Sequence, residues 1–149
     1  MSHETSKQLA TGITSLNQDT LQTLRFLAAD AGIPVRISGN CMSPLIEDRS
    51  TLLVQSRSRY WPGDILTFLN QDGHLTTHRL LGMFPRNREL YCLTQPDNHP
   101  YPDAPVPVSR ILGKVTGGDC TNEAIYIPWG TRLAASRKFT MHVLRHLFT

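Results

Sequence analysis

The fold is indicated first by Ile65-Leu66-Thr67-Phe68-Leu69, followed by Asn70-Gln71-Asp72-Gly73 and then by residues 74–81. The first five residues are mostly apolar and include branched and aromatic side chains, a composition typical of a β-strand. An Asp-Gly pair tolerates the positive φ angles that tight hairpin turns require. We therefore predict a β-hairpin in which residues 74–81 form the second strand.

Further short strands are predicted on both sides of this hairpin, separated by turns that contain glycine or proline. They cover residues 35–38, 51–55, 89–94 and 108–115. The segment 95–107 contains five prolines and is predicted to be an irregular loop, because proline lacks the N–H that a strand donates. Short strands joined in this way predict a mainly β, antiparallel fold.

Two helices are predicted to flank the β core. Apolar residues follow helical spacing over residues 19–31, with Asn17 or Asp19 as the N-cap and Gly32 as the stop. Residues 131–149 interleave apolar side chains with arginine and lysine, which predicts a basic amphipathic helix. We favour a helix that docks on the β domain, and the alternative is a contact with a membrane surface or a partner protein.

The length and composition are those of one globular domain. The chain has 149 residues, of which 40% are hydrophobic and 18% are charged, so it can bury a core. We predict a single domain over residues 1–149, with a loose polar N-terminus over residues 1–18. The net charge of +3 is small, and the basic residues are dispersed before the last twenty positions. This distribution argues against a nucleic-acid partner.

The three cysteines, Cys41, Cys92 and Cys120, are an odd number at wide spacings. No CxxC pair or Cys/His cluster has the spacing of a zinc site, so we predict neither a metal nor another cofactor. Such cysteine usage suits a reducing compartment. The sequence has no run of about 18 apolar residues and no signal-peptide pattern. We therefore predict a soluble, cytoplasmic protein, with a peripheral membrane location as the alternative.

A second stretch, Ser38-Gly39-Asn40-Cys41-Met42-Ser43-Pro44-Leu45, places a thiol on a turn. Gly39 can adopt backbone angles closed to other residues, and Pro44 fixes its own φ and lacks an N–H. Nucleophiles are often displayed on rigid, irregular turns of this kind. A lone cysteine is more commonly a small buried residue. Whether Cys41 is a nucleophile therefore depends on the rest of the chain.

A catalytic thiol needs a base, and the base needs an acceptor that orients it. His78 lies mid-strand, where alternation places it on one face with Thr76 and Leu80. A structural role is commoner than a catalytic one for such a histidine. Asp97 and Asp103, in the proline-rich loop, are both candidate acceptors, although solvated carboxylates are the default there.

Four motifs follow one another in a recognisable order. They are Gly39-Asn40-Cys41-Met42-Ser43-Pro44, Gly63-Asp64-Ile65-Leu66, His78-Arg79-Leu80-Leu81-Gly82, and residues 94–103 continued by residues 111–115. As an ordered set they resemble the signal peptidase I family and its relatives, a group that includes self-cleaving repressors. The third motif is similar to the general-base motif of the members that use histidine in place of lysine. The resemblance covers about residues 35–116, the predicted peptidase-like core.

The resemblance implies a β-rich peptidase core in which Cys41 is the nucleophile, His78 the base and Asp103 the catalytic aspartate. Asp97 matches a position of structural or secondary polar character. The backbone N–H of Cys41 would donate to the oxyanion, with Asn40 as a candidate second donor. Two features depart from the family: cysteine stands where serine is usual, and the usual membrane anchor has no counterpart.

We predict a soluble, signal-peptidase-like cysteine endopeptidase that cleaves a leader or precursor peptide through a thioester acyl-enzyme. The alternative is a non-catalytic peptide-binding module on the same fold. A self-cleaving regulator ranks lower, because such proteins use lysine at the position of His78 and carry a DNA-binding domain. The roughly 30 residues before the core are too few for that domain. A metal hydrolase ranks lowest, since no second and third ligands fall at suitable positions.

Overall fold

The described part of the chain, residues 16–148 of a computed structural model, begins with helix α1 (Gln18–Ala28). Asn17 caps this helix, because its side chain accepts a hydrogen bond from the Thr20 N–H at 2.8 Å. The helix ends before residue 31, the predicted end. Of the N-terminus that was predicted to be loose, residues 1–15 lie outside the described residues, and Gln18 already belongs to α1.

Seven strands form one sheet. They are β1 (Ile33–Arg36), β2 (Thr51–Gln55), β3 (Ile65–Leu69), β4 (Leu75–Arg86), β5 (Glu89–Gln95), β6 (Val106–Pro107) and β7 (Ile111–Gly118). Their spatial order is β1-β2-β7-β3-β4-β5-β6, and all neighbours are antiparallel. The β3–β4 hairpin closes through residues 70–73, with Gly73 at a φ of 79°. The predicted mainly antiparallel β fold is confirmed.

The structure corrects several predicted strand boundaries. β4 continues past residue 81 to Arg86, because it pairs along this extension with β5. β1 begins at Ile33, earlier than predicted, and residues 108–110 form a short 3₁₀ helix before β7. The proline-rich segment is not wholly irregular, since its last two residues form β6. Pro107 is tolerated there because β6 is an edge strand, where a missing N–H need not break the ladder.

Alternate residues of β3 enter different hydrophobic clusters, as the two-residue period of a strand requires. Ile65 and Leu69 join a cluster with Leu21 of α1. Leu66 and Phe68 join a second cluster, which also contains Leu80, Cys92 and Ile111. The sheet thus carries apolar packing on both of its faces, with α1 covering one of them.

Helix α3 (Trp129–Leu147), preceded by the short helix α2 (Asn122–Ile125), packs on β4 and β5. The approach is closest at Gly82, where an added Cβ would lie 2.5 Å from the Phe139 ring. The predicted C-terminal helix is confirmed, although it begins at Trp129. Its proposed contact with a membrane surface or partner stays a prediction. Among the helices of residues 16–148, none has the length and apolarity of a membrane span.

Candidate active site

His78 is the fourth residue of β4, and only 11% of its side chain is exposed. Its Nδ1 atom is 2.6 Å from Oδ2 of Asp103. The ring also packs edge-on against Phe68, with centroids 5.9 Å apart. A carboxylate at Nδ1 favours the tautomer with the proton on that nitrogen, which leaves the lone pair on Nε2. The pair therefore has the arrangement of an oriented general base.

Thr94 of β5 holds Asp103 in this position through two hydrogen bonds. The Asp103 backbone N–H donates to the Thr94 carbonyl at 2.8 Å, and the Thr94 hydroxyl donates to Oδ2 of Asp103 at 2.7 Å. Thr94 is fully buried. Thr94 was not among the predicted site residues, although it opens the motif that contains both candidate aspartates. Its place in that motif was the available signal.

Asp97, the second candidate acceptor, has a different partner. Its two carboxylate oxygens accept from Nε and Nη2 of Arg79 at 2.7 and 2.6 Å. Arg79 follows His78 on β4, so its side chain leaves the opposite face of the strand. The third guanidinium nitrogen donates to the Gly63 carbonyl at 2.8 Å. The structure therefore brings Asp103, and not Asp97, to His78.

The turn that carries Cys41 is anchored at several points. The Gly39 N–H donates to the Asp48 carboxylate at 2.7 Å, with Gly39 at a φ of 94°. The Cys41 carbonyl accepts from the Asn98 N–H at 2.8 Å. Met42 is buried, so the turn is fixed on both sides of the cysteine. Cys41 itself is exposed, which excludes the buried-cysteine alternative.

The carbonyl of Cys41 is hydrogen-bonded, but its other polar groups are not, among the residues that the structure describes. Within residues 16–148, neither its thiol nor its backbone N–H has a hydrogen-bond partner. The structure thus joins His78 to Asp103 but does not hydrogen-bond Cys41 to either. Asn40 accepts through its carbonyl from the Ser43 N–H at 3.1 Å and from the Asn98 side chain at 3.4 Å. The Asn40 side chain is exposed at the same turn.

The other two cysteines differ from Cys41 in environment. Burial raises the pKa of the Cys92 thiol to about 12. Burial, and then the charge of the adjacent Asp119, raise the pKa of Cys120. Both shifts disfavour the reactive thiolate. Of the three cysteines, all of which are described, Cys41 alone is exposed.

A metal-dependent arrangement is not evident in the part of the chain that the structure describes. That part contains no group of three or more His, Cys, Asp or Glu side chains able to hold a metal ion. The polar side chains around His78 are instead hydrogen-bonded to one another, since Oδ2 of Asp103 contacts both His78 and Thr94.

A protein-family model described as Peptidase S24-like matches residues 5–116, which is more than half of the chain. The chain belongs to the Peptidase S24-like family. The matched region contains Cys41, His78 and Asp103, and it ends before α3. Membership supports a peptidase, a kind of hydrolase, on a β fold. It does not distinguish the signal peptidase I subtype with a histidine base, which stays a prediction. A comparison with curated proteins found no match.

Proposed function

We propose that this Peptidase S24-like protein is a cysteine endopeptidase with Cys41 as nucleophile, His78 as base and Asp103 as the residue that orients the base. The observation that carries the proposal is the 2.6 Å contact between His78 Nδ1 and Asp103 Oδ2. That contact lies within the matched region, which also supplies an exposed thiol on an anchored turn.

In the proposed reaction, Nε2 of His78 takes the Cys41 proton and the thiolate attacks the scissile carbonyl carbon. The tetrahedral intermediate collapses, the C–N bond breaks, and the leaving amine takes the proton from His78. Water, deprotonated by His78, then hydrolyses the thioester and regenerates the thiol. Asp103 stabilises the imidazolium throughout, because its carboxylate accepts the Nδ1–H.

The developing oxyanion needs donors that are not already used inside the protein. The backbone N–H of Cys41 has no partner within residues 16–148, which supports its assignment as one donor. The exposed Asn40 side chain is the candidate second donor. Catalytic hydrogen bonds commonly tighten only when substrate binds. We therefore expect substrate to bring Cys41 Sγ and His78 Nε2 into hydrogen-bond contact.

The proposed substrate is a leader or precursor peptide bound in extended form. Extended peptides add to exposed sheet edges through main-chain hydrogen bonds. β1 is an edge strand and leads directly into the Cys41 turn, so it is the best-placed edge. The expected setting is cytoplasmic, in keeping with the reduced cysteines that the mechanism requires.

The test is a cleavage assay on a diverse peptide mixture read by mass spectrometry. We expect the wild type to give new peptide termini and a transient acyl adduct on Cys41. Cys41→Ala and His78→Ala should give neither, and Cys120→Ala should behave as the wild type does. Cleavage that persists in Cys41→Ala would overturn the proposed nucleophile.

A second candidate, a non-catalytic peptide-binding module, is favoured by one observation. The Cys41 thiol makes no hydrogen bond to His78 within the described residues. This candidate predicts that the wild type and Cys41→Ser capture the same peptides with equal affinity, and that neither cleaves them. The same peptide mixture therefore separates the two functions.

A further inference from the structure

Helix α3 and the loop between β5 and β6 enclose two neighbouring cavities. One has a volume of about 630 Å³ and the other of about 430 Å³. Both are lined by Pro102 of the loop and by His142 of the helix, so they adjoin along α3. We call them together the α3 groove, bounded by residues 134–147 of the helix and residues 100–105 of the loop.

The dimensions of the α3 groove suit a peptide segment. Residues 134–147 of a helix span about 20 Å, since each residue rises about 1.5 Å. An extended peptide needs about six residues to cover that length. The volumes are also in the range of about 300–1,000 Å³ that is usual for ligand cavities.

The larger cavity of the groove has an apolar lining. Phe84 and Leu93 contribute from the sheet, and Phe139 and Val143 contribute from α3. Leu93 is fully buried, while the side chains on the helix are partly exposed to the cavity. Such a surface gains free energy when an apolar side chain of a ligand covers it.

The charged residues of the groove are almost all basic. Arg137, Lys138 and Arg145 line the smaller cavity, and Arg86 lines the larger one. Residues 129–147, which form α3, include no aspartate or glutamate. Among the described residues that line either cavity, Asp103 is the only acidic one, and its Oδ2 is engaged by His78 and Thr94. The groove therefore favours an anionic ligand.

We propose that the α3 groove binds an acidic segment of the peptide substrate that also carries apolar side chains. The proposal rests on the proposed function, because it names a substrate class for the same site. Asp103 lines the groove and contacts His78, so a segment bound there lies close to the proposed base. Basic rim residues would attract the segment, and the apolar lining would hold its side chains.

A basic amphipathic helix can also bind an anionic membrane surface. The shape of the site favours a peptide over a membrane. The basic and apolar residues line concave spaces whose second wall is the loop of residues 100–105. A single extended chain can enter such a groove, whereas the flat face of a bilayer cannot.

The test measures binding by the full-length Cys41→Ala protein, in which cleavage cannot deplete the probe. Three fluorescent peptides of equal length are compared by anisotropy: acidic with leucine and phenylalanine, basic with the same apolar residues, and acidic without them. We expect the first to bind tightest, with an affinity that falls as salt is raised. The Arg137→Glu/Lys138→Glu double variant should bind it about tenfold more weakly.

The matched control is Arg57→Glu/Arg59→Glu, which reverses two exposed charges that line a different cavity. Its affinity should equal that of the parent, and thermal melts should show that both double variants are folded. Equal binding by the folded Arg137→Glu/Lys138→Glu variant would overturn the proposal. The proposal would also be overturned if the parent protein bound phosphatidylglycerol vesicles but not the acidic peptide, and if vesicle binding were lost in Arg137→Glu/Lys138→Glu.

The outcomes also separate this proposal from the proposed function. If the acidic peptide binds as expected but the wild type cleaves nothing, the groove stands and the peptidase proposal falls. If the wild type and Arg137→Glu/Lys138→Glu cleave their substrates with equal kcat/KM, the peptidase proposal stands and the groove proposal falls.

Discussion

Arg79 binds both carboxylate oxygens of Asp97, at 2.7 and 2.6 Å, from the face of β4 opposite to His78. The residue after Asp97, Asn98, donates its N–H to the Cys41 carbonyl at 2.8 Å. The Arg79–Asp97 ion pair therefore links the strand of the proposed base to the turn of the proposed nucleophile. It fixes the relative position of two segments that lie far apart in the sequence.

The first prediction concerns the stability that this ion pair provides. Asp97→Ala should lower the free energy of unfolding by about 3 kcal/mol, because it leaves the buried Arg79 guanidinium without its counter-charge. Urea unfolding followed by circular dichroism measures the change. Asp30→Ala, which removes an exposed carboxylate from another loop, should change stability by less than about 0.5 kcal/mol. Equal effects of the two substitutions would contradict the assignment.

The second prediction concerns the packing of α3 on β4. Gly82→Ala should cost about 1–3 kcal/mol, because the new Cβ would meet three atoms of the Phe139 ring within 2.8 Å. The same substitution should cost less in a Phe139→Ala background, where the ring is absent. Gly117→Ala is the control, since a Cβ there would find its nearest neighbours at 3.6 Å. If the free-energy changes of Gly82→Ala and Phe139→Ala simply add in the double variant, the contact between residue 82 and the Phe139 ring is not the cause of the loss in stability.

The third prediction concerns pH. Burial, and then the charges of His146 and Arg145, lower the pKa of His142 from its usual value. The neutral form is therefore favoured in the folded state. The contribution of neutral His142 to stability is present above the ordinary histidine pKa of about 6.5. It is lost as the pH falls through the lowered pKa that His142 has in the folded state.

The melting temperature should accordingly decrease on acidification from about pH 7 to about pH 5, and decrease less in His142→Gln. Arg86 and Asp103 line the same cavity as His142, so both remain in the variant as a constant background. His74→Gln, which alters an exposed histidine in the β3–β4 turn region, is the control and should keep the slope of the wild type. A His142→Gln slope equal to that of the wild type would contradict the expected role of this residue.

The fourth prediction concerns Thr94 as a positioning residue for Asp103. Thr94→Val keeps the shape of the side chain but removes the 2.7 Å hydrogen bond to Oδ2, whereas Thr94→Ser keeps a hydroxyl. In the cleavage assay, Thr94→Val should lower kcat by about tenfold and shift the pH profile, because the His78 base is less well oriented. Thr94→Ser should restore most of the activity. A purely structural role would lower stability in Thr94→Val and leave the pH profile unchanged.

Local chemistry explains which parts of the fold could be predicted from the sequence. The β3–β4 hairpin was predictable because Asp72-Gly73 favours a turn and because apolar residues mark the strand before it. β6 was not predictable, since Pro107 is tolerated in a strand only at an edge, and edges are set by tertiary pairing. The extension of β4 likewise depends on pairing with β5.

The candidate site was predictable only as a set of residues. The residues alone left both Asp97 and Asp103 open as acceptors, because both lie in one loop. The family resemblance pointed to Asp103, and the fold shows that Asp103 contacts His78 while Asp97 pairs with Arg79. The α3 groove depends on contacts between distant segments and had no local signal. For Thr94 the sequence offered only its place in the motif, since its hydrogen bonds to Asp103 are seen only in the fold. The exposure of Cys41 also required the structure, since a lone cysteine is more often buried.

Activation of Cys41 by His78 can be measured as the alkylation rate of Cys41 at a series of pH values. Selectivity for Cys41 over Cys92 and Cys120 is not sufficient, because exposure alone would produce it. At about pH 6, iodoacetamide should modify Cys41 at least about tenfold faster in the wild type than in His78→Ala, and the two rates should converge at alkaline pH. Identical rates in the two proteins across the whole pH range would contradict the activation of Cys41 by His78.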